Sequence, residues 1–139
     1  MCVDTTVELP DGGEVCNIAF SADCFTLATG LRTGRVLLWD LRKMSGPLHE
    51  IPSPTSISTN NTTSTGPRES PVVAFDGYGK YLAVAGRDIR LFNWAVEPQQ
   101  PLCTLSSHVQ PVTSVCWGEN ALSLISCSTD RTVKLYGSA

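Results

Sequence analysis

Four side chains in one short stretch could do chemistry together. His108, Ser126, Ser128 and Asp130 supply an imidazole, two hydroxyls and a carboxylate. That is the set needed for acyl transfer, in which histidine takes the serine proton and aspartate orients the histidine. The local sequence ISCSTDR lacks the glycine-flanked turn that presents a nucleophilic serine. Four arginines, Arg32, Arg35, Arg87 and Arg131, fall in predicted turns. Guanidinium groups suit bidentate capture of carboxylate or phosphate. The six cysteines, Cys2, Cys16, Cys24, Cys103, Cys116 and Cys127, include no C-x-x-C pair. Four of them (16, 103, 116 and 127) fall inside predicted strands, which favours small buried apolar side chains over a disulfide framework or a zinc site. No phosphate loop, metal spacing or paired acid–base group is evident, so no catalytic residue, cofactor or metal is expected.

The elements around these residues are short strands. Leu102–Leu105, Val112–Trp117, Leu122–Cys127 and Thr132–Tyr136 are apolar runs separated by turn residues. The pattern repeats upstream, in Val15–Phe20, Thr26–Gly30, Val36–Asp40 and Leu48–Ile51, and again in Val72–Phe75, Tyr81–Ala85 and Ile89–Phe92. Val15–Phe20 shows little alternation, as in a strand covered on both faces. Aromatic residues mark the register. Phe20, Phe75 and Trp117 close the first strand of each unit at intervals of 55 and 42; Trp39, Phe92 and Tyr136 close the third at 53 and 44. Two independent markers thus share a period of about 40–45 once a loop insertion is removed. The predicted class is all-β: about three four-stranded antiparallel blades of a propeller, at 11–51, 71–105 and 108–137. Thr5–Leu9 is expected as the outer strand of a preceding blade. Because a propeller needs at least about four blades, the ring is not closed by this chain alone.

Composition separates one segment. Residues 52–70 are Ser, Thr, Asn and Pro with almost nothing apolar, and cannot offset the entropy of ordering. A mobile insertion is expected there, with Ser53-Pro54 as a candidate phosphorylation site against the plainer reading of a solvated loop. Asn60 and Asn61 begin N-x-T triplets, read as loop residues in the absence of a secretory signal. The net charge of −3 offers no basic face for nucleic acid. No apolar run reaches the ~18 residues of a membrane span. Asp4 and Glu8 stand where a signal peptide would be basic or apolar, so an intracellular protein is expected.

The Trp39-Asp40 dipeptide and the stretch Ser126 to Tyr136 resemble the WD-repeat family of β-propellers, over about Pro10 to Gly137. The segments IAFSADCFTLATG, VAFDGYGKYLAVAGRDIRLF and SCSTDRTVKLYGSA, with the shortened corner Ala85–Ile89, are similar to the terminal blades of the spliceosomal U-box proteins within that family. The resemblance implies that His108, Ser126 or Ser128, Asp130 and Tyr136 form a buried structural hydrogen-bond chain, not a catalytic triad. The first two units lack the full set: Thr33 occupies the corner Asp position, and Asp88 has no preceding His. Those blades should rely on apolar packing. The resemblance also implies a nuclear scaffold (alternatively cytoplasmic) that recruits protein partners from splicing, ubiquitin-ligase or DNA-repair assemblies, with no direct nucleic-acid or membrane contact. A second reading is an adaptor in a chromatin or ubiquitin-ligase complex; an enzyme ranks third. No U-box or coiled coil is present, so ligase activity would not reside in these residues. Arg32, Arg35, Arg87 and Arg131 form the candidate partner-binding rim for an acidic ligand. The open ends call for missing blades or self-association.

Overall fold

The computed structural model describes residues 5–9, 13–54 and 70–137. Three antiparallel sheets follow one another along the chain. The first contains β1 (Val15–Phe20), β2 (Thr26–Leu31), β3 (Val36–Asp40) and β4 (His49–Ile51). The second contains β5 (Val72–Phe75), β6 (Leu82–Ala85), β7 (Ile89–Phe92) and β8 (Cys103–Leu105). The third contains β9 (Val112–Trp117), β10 (Ser123–Ser128) and β11 (Val133–Gly137). In each sheet, spatial order follows chain order. Each is therefore a meander held by tight turns, one propeller blade, and the described arc does not close into a ring.

Apolar side chains on facing sheets hold the blades together. Ala28, Val36, Leu38 and Ile51 of the first blade meet Val73, Leu82, Val84 and Phe92 of the second. Ala83, Ala85 and Ile89 of the second meet Val112, Val115 and Leu124 of the third. Every residue of β6 is buried, which explains its unbroken apolar run LAVA. Polar ties cross the same junctions. Asn17 Oδ1 accepts from the Val73 amide at 3.0 Å, and Trp117 Nε1 donates to Ala74 O at 3.0 Å.

Several expectations change. β1 is covered on one face only: Val15, Ile18 and Phe20 are exposed, because no described blade precedes it. Residues 5–9 join no sheet; an outer strand needs three inner strands to pair against, and none precedes them here. Trp94, assigned to a loop by sequence, is buried in the first junction, where it donates to Gly79 O at 2.9 Å and meets Phe75 edge-on. Ser53 is buried and engaged, so its hydroxyl is not presented for phosphorylation. Most of the Ser/Thr/Asn/Pro segment, with Asn60 and Asn61, lies outside the described residues, as does Cys2.

Candidate docking site on the corner rim

His108 lies in the connection from β8 to β9, and Asp130 in the corner from β10 to β11. Folding the third blade brings them together. His108 Nδ1 lies 2.8 Å from Asp130 Oδ2, and His108 Nε2 lies 2.7 Å from Ser126 Oγ. The carboxylate can only accept, so Nδ1 carries the proton and Nε2 accepts the Ser126 hydroxyl. Asp130 also accepts from the Thr132 hydroxyl and from the backbone N–H groups of Thr132 and Val109. The Thr132 hydroxyl, and after it His108 and those two amides, outweigh desolvation and hold the Asp130 carboxyl well below the usual range.

The three groups have the spacing of a catalytic triad, but burial gives them a different task. The His108 side chain is 1% exposed, and Ser126 is buried beneath the blade junction. A nucleophile there meets no substrate. Each polar group is satisfied by the next, so the set is a brace that fixes the corner against the incoming connection.

Two predicted members stand apart. Ser128 Oγ does not reach His108. It donates to the Gln110 and Pro111 carbonyls at 2.8 and 2.9 Å and accepts the Asp130 amide at 3.1 Å. Tyr136 does not extend the chain: its hydroxyl is buried with no hydrogen-bond partner. The first blade shows why. Trp39, at the same register position, donates from Nε1 to Thr29 Oγ1 at 3.0 Å. An indole N–H lies along the side of its ring system, whereas a phenol O–H lies at the far tip and overshoots. That Trp39–Thr29 bond is also a departure from the expectation that the first blade has apolar packing alone. Asp40, second of the dipeptide, pairs with Arg42 at 2.9 Å. Thr33 is exposed and Asp88 is exposed; neither braces its corner as Asp130 does.

The cysteines likewise differ from expectation. Cys16 and Cys127 are half-buried, but Cys24, Cys103 and Cys116 are exposed, and all five described thiols are free. Cys116 and Cys127 project from the third blade on the side where no further described blade stands.

The second-to-third-strand corners of all three blades gather on one rim. The Val112 amide donates to Gly86 O at 2.8 Å, which ties the second corner to the connection entering the third blade. The four candidate arginines divide into two pairs. Arg32 Nε lies 2.7 Å from Glu14, and Arg35 Nε lies 2.7 Å from Glu50, so both are committed to ion pairs within the first blade. Arg87 and Arg131 are exposed and pair with no carboxylate among the described residues. A cleft of about 330 Å³ opens beside Arg87. Gly34, Pro54, Pro71 and Thr104 line it with Arg90, and Asp88 is its acidic member. Sequence reasoning missed this cleft because Gly34, Pro54 and Pro71 lie far apart in the chain from Arg87, and blade stacking alone brings them together.

Residues 3–40 and 99–137 match the model of the WD40 family, "WD domain, G-beta repeat", together more than half the chain. The chain belongs to the WD40 repeat family. Among relatives, Pre-mRNA-processing factor 19 of Oryza sativa subsp. japonica is 34% identical over 129 residues, covering 90% of this chain and 22% of its own length. The Retinoblastoma-binding protein 5 homolog of Drosophila melanogaster is 38% identical over 63 residues, covering 45% of this chain and 13% of its own. The solved structure of U3-55K superposes with a TM-score of 0.70 at 21% identity, over 88% of this chain and 36% of that one. The chain thus spans about a fifth of the length of its rice relative. As a set of WD40 repeats it is a protein-interaction scaffold. The two matched spans contain the first and third blades, which keep a Trp-Thr or His-Ser-Asp link; the unmatched middle blade has neither.

Proposed function

We propose that this chain is the partner-recruiting part of a splicing-associated scaffold, and that it captures an acidic segment of a protein partner on the corner rim. The observation that carries the ligand class is the pair Arg87 and Arg131, cationic and unpaired with acids among the described residues, beside a cleft wide enough for a peptide strand. Pairing with a carboxylate would not require breaking an existing ion pair, as it would at Arg32 or Arg35. The splicing assignment is supported by the likeness to Pre-mRNA-processing factor 19, which runs through 90% of the chain rather than one blade. Other WD40 adaptors, including the Drosophila relative, match over a shorter stretch. Any ubiquitin transfer would lie outside these residues, which would supply only the docking surface.

The test is binding of a fluorescent Asp/Glu-rich peptide, read by anisotropy. Arg87→Glu with Arg131→Glu removes two charge-assisted contacts and should weaken binding by about tenfold or more. Arg32→Glu should change it far less. Unchanged affinity in the double variant would refute the rim as the ligand site. Co-precipitation of tagged splicing-complex components with the wild type, lost in the same variant, tests the complex.

A further inference from the structure

We infer that two copies of this chain assemble head to tail into a closed six-bladed ring, with residues 7–9 of each copy serving as the missing outer strand of the other copy's third blade. The inference starts from an internal comparison. In the first blade the outer strand pairs Val36 with Ile51, Leu37 with Glu50 and Leu38 with His49. In the second it pairs Ile89 with Leu105, Arg90 with Thr104 and Leu91 with Cys103. In the third, β11 has no outer neighbour among the described residues. The corresponding positions are Val133, Lys134 and Leu135. Val7-Glu8-Leu9 fits this register as His49-Glu50-Ile51 does. It sets Leu9 against Val133, Glu8 against Lys134 and Val7 against Leu135. The central pair is of opposite charge, directly across two antiparallel strands, where such pairs stabilise.

The family match gives the same alignment independently. Its two spans, 3–40 and 99–137, end on corresponding strands of the first and third blades, and each begins just before its outer-strand segment. Residues 7–9 therefore occupy the place of β8. They lie in it spatially too: Leu9 packs on Leu31, Leu37 and Trp39, the face of the first blade that points away from the second. In one copy, two sheets stand between that face and β11. The strand that residues 7–9 can complete thus belongs to another copy.

The two open faces also match. Leu38, buried at 0% exposure in the first junction, corresponds to Leu135 at 70%; Val36, also at 0%, corresponds to Val133 at 72%. At the other end Ile18 and Phe20 are exposed, where Val73 and Val115 are buried at the corresponding place. A head-to-tail contact would bury both faces at once in the arrangement already present at the internal junctions. Such a contact makes a ring where the rotation closes. Propellers have four to eight blades. Two copies of three blades fall within that range, and one or three copies fall outside it.

The full chain is to be measured by size-exclusion chromatography with light scattering at micromolar concentration. The expected mass is twice the 14.9 kDa of one chain. Glu8→Lys opposes two like charges and should shift the species to monomer while the circular dichroism keeps its strand signal. Glu8→Lys combined with Lys134→Glu should restore the dimer. A monomer in the wild type overturns the inference. So do a dimer indifferent to Glu8→Lys, failure of the exchanged pair to recover it, and open-ended polymers. The rim arginines are not altered in any of these variants, so the result is independent of the ligand proposal.

Discussion

At the scale of single residues, two tests separate the brace in the third blade from its neighbours. Asp130 holds its carboxyl below the ordinary value when folded, chiefly through the Thr132 hydroxyl. A depressed folded value means the ionised form stabilises the fold above the unfolded value and that this contribution fades as pH falls through the folded one. Asp130→Asn should therefore melt lower than wild type at pH 7, and the gap should narrow below about pH 4, where unfolded aspartates begin to take up protons. Melting curves across pH check the sign. Thr33→Ala, at the exposed corner of the first blade, should leave the melting temperature unchanged, whereas Asp130→Ala should lower it more than any other corner substitution. Tyr136 makes the opposite prediction. Its hydroxyl is buried without a partner. Removing an unsatisfied polar atom recovers its desolvation cost, so Tyr136→Phe should stabilise by about 1 kcal/mol in denaturant unfolding. Sequence could place His108, Ser126 and Asp130 in one unit because their spacing follows the strands. It could not place Tyr136 outside the brace, because the outcome turns on where a ring carries its proton.

At the scale of strands and turns, glycine marks where backbones come too close for a side chain. A Cβ on Gly30 of β2 would stand 2.9 Å from Pro71 O, the residue that leads into the second blade. Neither backbone can yield without separating the sheets. Gly30→Ala should cost about 1–3 kcal/mol by overpacking, read in the same unfolding measurement. Gly79 is constrained doubly. It sits at φ +73°, and a Cβ there would meet Ser21 Oγ at 2.2 Å across the junction. The strands themselves were legible: each of the eleven in the structure coincides with a segment readable from alternation, turn residues and the aromatic period. What sequence could not supply was which faces are covered. Val15–Phe20 reads as apolar on both sides, and Cys116 sits in an apolar strand, yet both look outward. Whether a face is covered depends on the neighbouring sheet, and local sequence carries no term for a neighbour. Trp94 is the converse: turn residues surround it, and a sheet 40 residues away receives it.

At the scale of the whole molecule, the arc is asymmetric in its protection. The second blade lies between the other two, with β6 buried throughout, while β11 presents an open edge and exposed Val133 and Leu135. Amide exchange reports such differences, because local opening frees edge strands before central ones. In dilute solution, where a pair of chains dissociates, the amides of β6 should exchange slowest and those on the outer edge of β11 among the fastest. Raising the concentration shifts the population toward the ring by mass action. The outer-edge amides of β11 should then slow, and those of residues 7–9 with them, because antiparallel strands exchange N–H and C=O bonds mutually. The β6 amides should slow less, since both faces of their sheet are already covered within one chain. Hydrogen exchange with mass-spectrometric readout at two concentrations tests this directly. Concentration-dependent protection confined to the third blade's edge, residues 7–9 and the first blade's outer face is the pattern of head-to-tail closure. Uniform protection at every concentration would show that these edges are not where two chains meet.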